Sequence, residues 1–171
     1  MGPLAPGASA TIGVSVAVPA NALAGTSDSL ALTVASGIDP QQHVVLTRAT
    51  TAGTIYGIGL DPAAGTRSGA PSTPVSYTLT LRNTGNTGDT FMVQLSGAQW
   101  PTQATPLNVQ LAPGQTATIV VRVGIPATAA QQAEDNALVQ VTSQGNSGVS
   151  AQVTLRTIAG WRKLYLPMIR R

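Results

Sequence analysis

A single histidine, His43, and six acidic residues are all that this chain offers for acid–base chemistry, since it has no cysteine and its one lysine is Lys163. Nucleophilic catalysis needs a base held beside a nucleophile. His43 closes a polar stretch, 37–43, that reads as a hairpin loop, where an imidazole is simply solvated. Glu134-Asp135 is the one acidic pair. Adjacent strand residues point to opposite faces, so these two carboxylates cannot flank a glycosidic bond. Calcium would need about six or more converging oxygens. Asp28 and Asp135, and the run Asn83, Asn86 and Asp89, are the candidate donors, but the EF-hand spacing is missing, and such side chains accept backbone N–H bonds from their own turns. No catalytic, cofactor-binding or metal residue is therefore expected.

Two features remain that could bind rather than react. Trp100, before Pro101, and Tyr56 could stack on a sugar if both lay exposed on one surface; a buried Trp100 would instead close one end of a core short of large side chains. The end of the chain, from Trp161, Arg162 and Lys163 through Tyr165 to Arg170 and Arg171, mixes aromatic, apolar and basic residues. It could hold to an anionic surface or serve as a sorting signal, or dock as an apolar strand.

The elements that would position these residues follow from composition. Charged residues make up 9% of the 171, and one Phe, two Trp and three Tyr are the aromatic stock. The core must then be built from Val, Leu, Ile and Ala, in a mixture that favours strands and turns over surface helices. A net charge of +3 would prompt a nucleic-acid hypothesis, but four of the nine basic residues fall in the last ten positions. The other five face six acids, so the body of the chain is slightly acidic and no nucleic-acid surface is expected. The first residues form no signal peptide, and no run reaches the ~18 apolar residues of a membrane span.

An internal repeat organises the chain. Leu4-Ala5-Pro6-Gly7, Ala10-Thr11-Ile12, Val14, Val16 and Val18-Pro19-Ala20 return as Leu111-Ala112-Pro113-Gly114, Ala117-Thr118-Ile119, Val121, Val123 and Ile125-Pro126-Ala127, a spacing of 107. The match runs on through Asp28 and Asp135, Val34 and Val141, then slips by about one residue so that Arg48 meets Arg156. A period of that size is one sandwich domain. The first copy starts in mid-pattern, which predicts a C-terminal fragment: half a domain at 1–50, a complete one at 54–157, and a basic, aromatic tail at 158–171.

In the complete copy, seven strands are predicted at 54–60, 75–83, 89–97, 105–111, 115–125, 135–143 and 149–157, with a long loop at 62–74 and a turn-like corner at 127–133. Tyr77, Leu79 and Leu81, then Phe91, Val93 and Leu95, then Ile119, Val121 and Val123 alternate with polar residues, as strands with one wet face must. The fold class expected is all-β: an immunoglobulin-like antiparallel β-sandwich, one complete domain preceded by the C-terminal half of a second copy. In the half copy three strands should leave Ile12, Val14, Val16, Leu30, Leu32 and Val34 without a partner sheet, so that residues 1–50 are mobile, associate or borrow strands.

The run from Tyr77-Thr78-Leu79 through Asn83-Thr84-Gly85-Asn86-Thr87-Gly88-Asp89, Gly97-Ala98-Gln99-Trp100, Leu111-Ala112-Pro113-Gly114-Gln115 and Ile125-Pro126-Ala127 resembles the NPCBM-associated Ig-like domains of the alpha-galactosidase-associated type. Similar modules trail secreted bacterial proteases, glycosidases and surface proteins. The resemblance implies a fold and an extracellular or cell-surface bacterial setting, with no catalytic residues to carry over. The function expected is a non-catalytic spacer at the C-terminus of a larger protein, its partners being upstream domains and the cell envelope or a polysaccharide; the alternative is a carbohydrate-binding accessory module of a secreted hydrolase.

Overall fold

The computed structural model describes residues 3–160. The chain divides into two units, Met1–Gly53 and Thr54–Arg171. In the first, β1 (Ser27–Ala35) and β2 (His43–Thr51) form an antiparallel hairpin in which Leu30 faces Arg48, Leu32 faces Leu46 and Val34 faces Val44. Three strands were expected here, but the segment around Val14 and Val16 joins no ladder. The spacing of 107 holds across the hairpin without the slip read from the sequence. Leu30 and Arg48 pair as Ala137 and Leu155 do, so Arg48 stands at the place of Leu155 and not of Arg156.

The second unit carries nine strands: β3 (Ile58–Asp61), β4 (Ala64–Gly69), β5 (Pro74–Asn83), β6 (Asp89–Ser96), β7 (Thr102–Thr105), β8 (Asn108–Leu111), β9 (Thr116–Gly124), β10 (Glu134–Ser143) and β11 (Ser150–Ala159). They form a five-stranded sheet, β4-β11-β10-β6-β8, and a four-stranded sheet, β3-β5-β9-β7. Among the described residues there is no helix, and the 127–133 corner is made of turns. The all-β Ig-like sandwich read from the sequence is the fold observed.

The core lies between the sheets and comes from the alternating positions. Leu79, Leu81, Phe91, Ile119, Val121, Val123, Val139, Val141 and Leu155 have no exposed surface. Each such side chain contributes about 1.5–3 kcal/mol relative to staying wet. Along β5, Val75, Tyr77, Leu79 and Leu81 point inward and cross-pair with Val123, Val121, Ile119 and Ala117 of β9. The turn at Ala112–Gln115 closes with a Gln115 N–H to Ala112 carbonyl bond of 3.1 Å, and Gly114 sits at φ +76°, where a side chain would be strained.

Two of the nine strands were not expected. The stretch read as a loop at 62–74 contains β4, which leaves the β3 sheet and pairs in parallel with β11, Gly65 opposite Leu155 and Gly69 opposite Ala159. Its residues are small because the space is small: a Cβ on Gly69 would sit 2.8 Å from Val75 Cγ2, and one on Gly65 would be 3.2 Å from Tyr77 Cδ1. The second is β7: it shares only Thr105 with the strand expected at 105–111, which is observed as β8 on the opposite sheet.

Candidate functional site

The buried polar groups inside the second unit are each bound to loop backbone or to another core group. Asn83 donates from Nδ2 to the carbonyls of Thr87 (2.8 Å) and Leu111 (3.0 Å) and accepts the Gly85 N–H at 2.9 Å. Asp89 accepts the N–H of Thr90 at 2.7 Å and of Gly145 at 3.0 Å, and the Ser143 hydroxyl. Tyr77, 3% exposed, donates its hydroxyl to the Arg156 carbonyl at 2.6 Å and lies 2.9 Å from Thr157 Oγ1. Asp135, also 3% exposed, accepts the N–H of Gln99 at 2.8 Å and of Trp100 at 3.2 Å, fixing the loop that follows β6. Among the described residues no buried side-chain N or O atom is left without a partner.

Glu134 and Asp135 lie on opposite faces of β10. Glu134 is exposed and forms a two-pronged ion pair with Arg156, which raises the guanidinium pKa above its ordinary value, chiefly through the hydrogen bond and then through charge. His43 is exposed at the start of β2, its Nδ1 3.2 Å from the Gln41 carbonyl. Asp28 is exposed and accepts the N–H of Ser29, so the two aspartates at equivalent repeat positions have different surroundings. No group of three or more metal-ligating side chains occurs among the described residues.

The structure does not bring Trp100 and Tyr56 together. Trp100 is half-buried, packs against the core and sits beside Asp135 at the start of β10. The Tyr56 ring lies over Gly145, just past the end of β10, so close that a Cβ there would meet it. Ten strand residues separate the two, on the order of 30 Å. Trp161, Arg162, Lys163, Tyr165, Arg170 and Arg171 lie outside the described residues.

A concavity of about 740 Å³ lies between β6 and β7. It opens because β8 covers β6 over Asp89 to Met92 alone, and β7, which runs past the rest of β6, belongs to the other sheet. Gln94, Ser96, Thr102, Gln103, Thr105 and Gln140 line it, with Leu95 and Leu107. This lining is neutral and rich in hydrogen-bonding groups; it can hold a polar uncharged ligand but carries no acid, base or nucleophile with a raised reactivity. Nothing in the sequence marked it, since residues 102–104 fall outside the expected strands and the gap exists only once two strands part.

Residues 76–158, slightly less than half the chain, match the family described as "IG-like fold at C-terminal of FixG, putative oxidoreductase". The complete unit is an Ig-like domain. This match overturns the resemblance to the NPCBM-associated domains. The motifs that carried it are turn chemistry, such as the Asn83 clamp and the Gly114 turn, which sandwiches of this kind share without sharing a family. No curated protein matches. Similar solved structures include a PapD-like domain of human CEP192 (10% identity, 62% of this chain and 87% of that one, TM-score 0.48) and the CupB2 chaperone of Pseudomonas aeruginosa (14%, 61% and 57%, TM-score 0.47). A family 123 glycoside hydrolase from Clostridium perfringens is similar over 62% of this chain and 27% of its own (8% identity, TM-score 0.48). These likenesses concern the fold.

Proposed function

We propose that residues 54–160 are a non-catalytic accessory module, a spacer or stabilising domain within a larger secreted or cell-surface bacterial protein. The observation that carries this reading is that, among the described residues, the buried polar side chains direct their hydrogen bonds to loop backbone and to one another, tying strands together rather than converging on a cavity. The family description places an Ig-like fold at the end of an oxidoreductase, the arrangement of an accessory domain. A chain without cysteine, moreover, brings no thiol of its own to redox chemistry.

The groove between β6 and β7 favours one second reading, a carbohydrate-binding accessory module, because its amide and hydroxyl lining suits a neutral polyol. A glycan array and polysaccharide pull-down on the full chain test the two. The spacer reading expects no retention. Robust binding lost in Gln103→Ala and Gln140→Ala would establish the carbohydrate reading at the groove, and loss in Trp100→Ala would move it to the Trp100 end.

A further inference from the structure

The first unit repeats, at a spacing of 107, the portion of the complete unit from β9 to β11, and the structure carries that equivalence into hydrogen-bond register. Leu32 faces Leu46 as Val139 faces Val153, and Val34 faces Val44 as Val141 faces Ala151. Val14, Val16, Leu30, Leu32 and Leu46, with Arg48 and Thr50, line an open groove of about 430 Å³. Val14, Val16, Leu30 and Leu46 are 41% to 52% exposed, whereas their counterparts Val121, Val123, Ala137 and Val153 are at most 1% exposed.

What covers those counterparts is visible in the same molecule. β5 pairs with β9, and β6 pairs with β10 from Leu138 opposite Ser96 to Ser143 opposite Phe91. Tyr77, Leu79, Phe91 and Val93 fill the space between. The loop after β6 then delivers the N–H groups of Gln99 and Trp100 to Asp135. In the first unit the edge of β1 away from β2 pairs with no strand, and Asp28, the counterpart of Asp135, is exposed.

We infer that the apolar face of residues 12–51 is a docking surface for the N-terminal half of an Ig-like unit, a polypeptide segment with the chemistry of residues 54–107. One of its strands pairs antiparallel with residues 31–36, a second covers Val14 and Val16, and the turn after the first presents two backbone N–H groups to Asp28. A second copy of this chain fits less well. Its own strands of that kind are already buried, Leu79 and Phe91 completely, and two such faces packed together would bring two Arg48 side chains into one apolar layer. Against a half-unit there is one Arg48, at the position of Leu155, and its long aliphatic stem can lie in the apolar layer while the guanidinium reaches toward water.

The test is a full chain preceded by a copy of its residues 54–107, which keeps the repeat spacing because residue 1 corresponds to residue 108. Amide hydrogen exchange is then compared with the unextended chain. Protection of residues 27–51 should rise by roughly 100-fold or more. Leu32→Asp in the extended chain should return these amides to their unextended rates and leave 134–159 unchanged, and Asp28→Asn should lower the gain several-fold. No gain would overturn the proposal, since a tethered segment acts at about millimolar effective concentration and weak affinity could not hide it. A gain that survives Leu32→Asp would overturn it too. So would an unextended chain that sediments as a dimer with 27–51 already protected, which would make a second copy the occupant.

Discussion

Asp135 and Asp28 occupy equivalent repeat positions and show how surroundings set the worth of one side chain. Asp135 is buried and holds two loop N–H groups; Asp28 is exposed and meets its own neighbour. Asp135→Ala should therefore cost about 1–3 kcal/mol in urea unfolding, because it removes two hydrogen bonds from loop N–H groups to a charged carboxylate, and Asp28→Ala should stay within about 0.5 kcal/mol. Tyr77 gives a second test. Its hydroxyl ties β5 to the Arg156 carbonyl and to Thr157, and Arg67 stacks 5.6 Å from the ring centre. Tyr77→Phe keeps the ring and removes the hydroxyl, so a loss of about 0.5–1.5 kcal/mol is expected. A larger fall in the same assay would mean that the ring had moved as well.

At the scale of elements, β4 depends on what its residues lack. Gly69 lies against Val75 and Ile125, and a Cβ there would fall 2.8 Å and 3.1 Å from their methyl carbons. Gly69→Val should overpack the site at a cost of about 1–3 kcal/mol and lift β4 from the sheet. Faster amide exchange along 154–159 of β11 is the expected readout, and unchanged exchange there would show that the strand had stayed in place. The same chemistry explains why β4 was read as loop. Ala64-Gly65-Thr66-Arg67-Ser68-Gly69 lacks the β-branched alternation that marks a strand, because close approach to the core selects small residues. The most legible strands, β5, β6, β9, β10 and β11, each carry at least two of Val, Leu, Ile, Tyr or Phe at successive inward positions.

At the scale of the molecule, the two units differ in what their apolar residues gain. Leu79 has no exposed surface, while Leu30 is 41% exposed on a two-stranded hairpin. Leu79→Ala should cost about 2–5 kcal/mol, and Leu30→Ala should leave the unfolding curve within about 0.5 kcal/mol. Isolated hairpins are marginal in water. Residues 27–51 should accordingly exchange amide hydrogens far faster than 74–83, and a protease should trim the chain to near residue 53 without shifting the melting temperature of the remainder. Equal exchange in both regions would show that the first unit is stabilised by something other than its own hairpin.

The sequence by itself determined the sandwich, its inward-facing residues and its principal turns, because period-2 alternation and turn chemistry are local properties that each strand writes into its own residues. It also showed that chemistry-bearing side chains are few. Tertiary structure alone decided that β4 switches sheets, that β7 and β8 part to open a groove, that Trp100 and Tyr56 stand at opposite ends, and that the segment around Val14 forms no ladder. Each of these depends on which strands are available as neighbours. β9 is a strand because β5 and β7 flank it, and residues 10–18, which share its alternating Ile and Val but have neither neighbour, join no ladder.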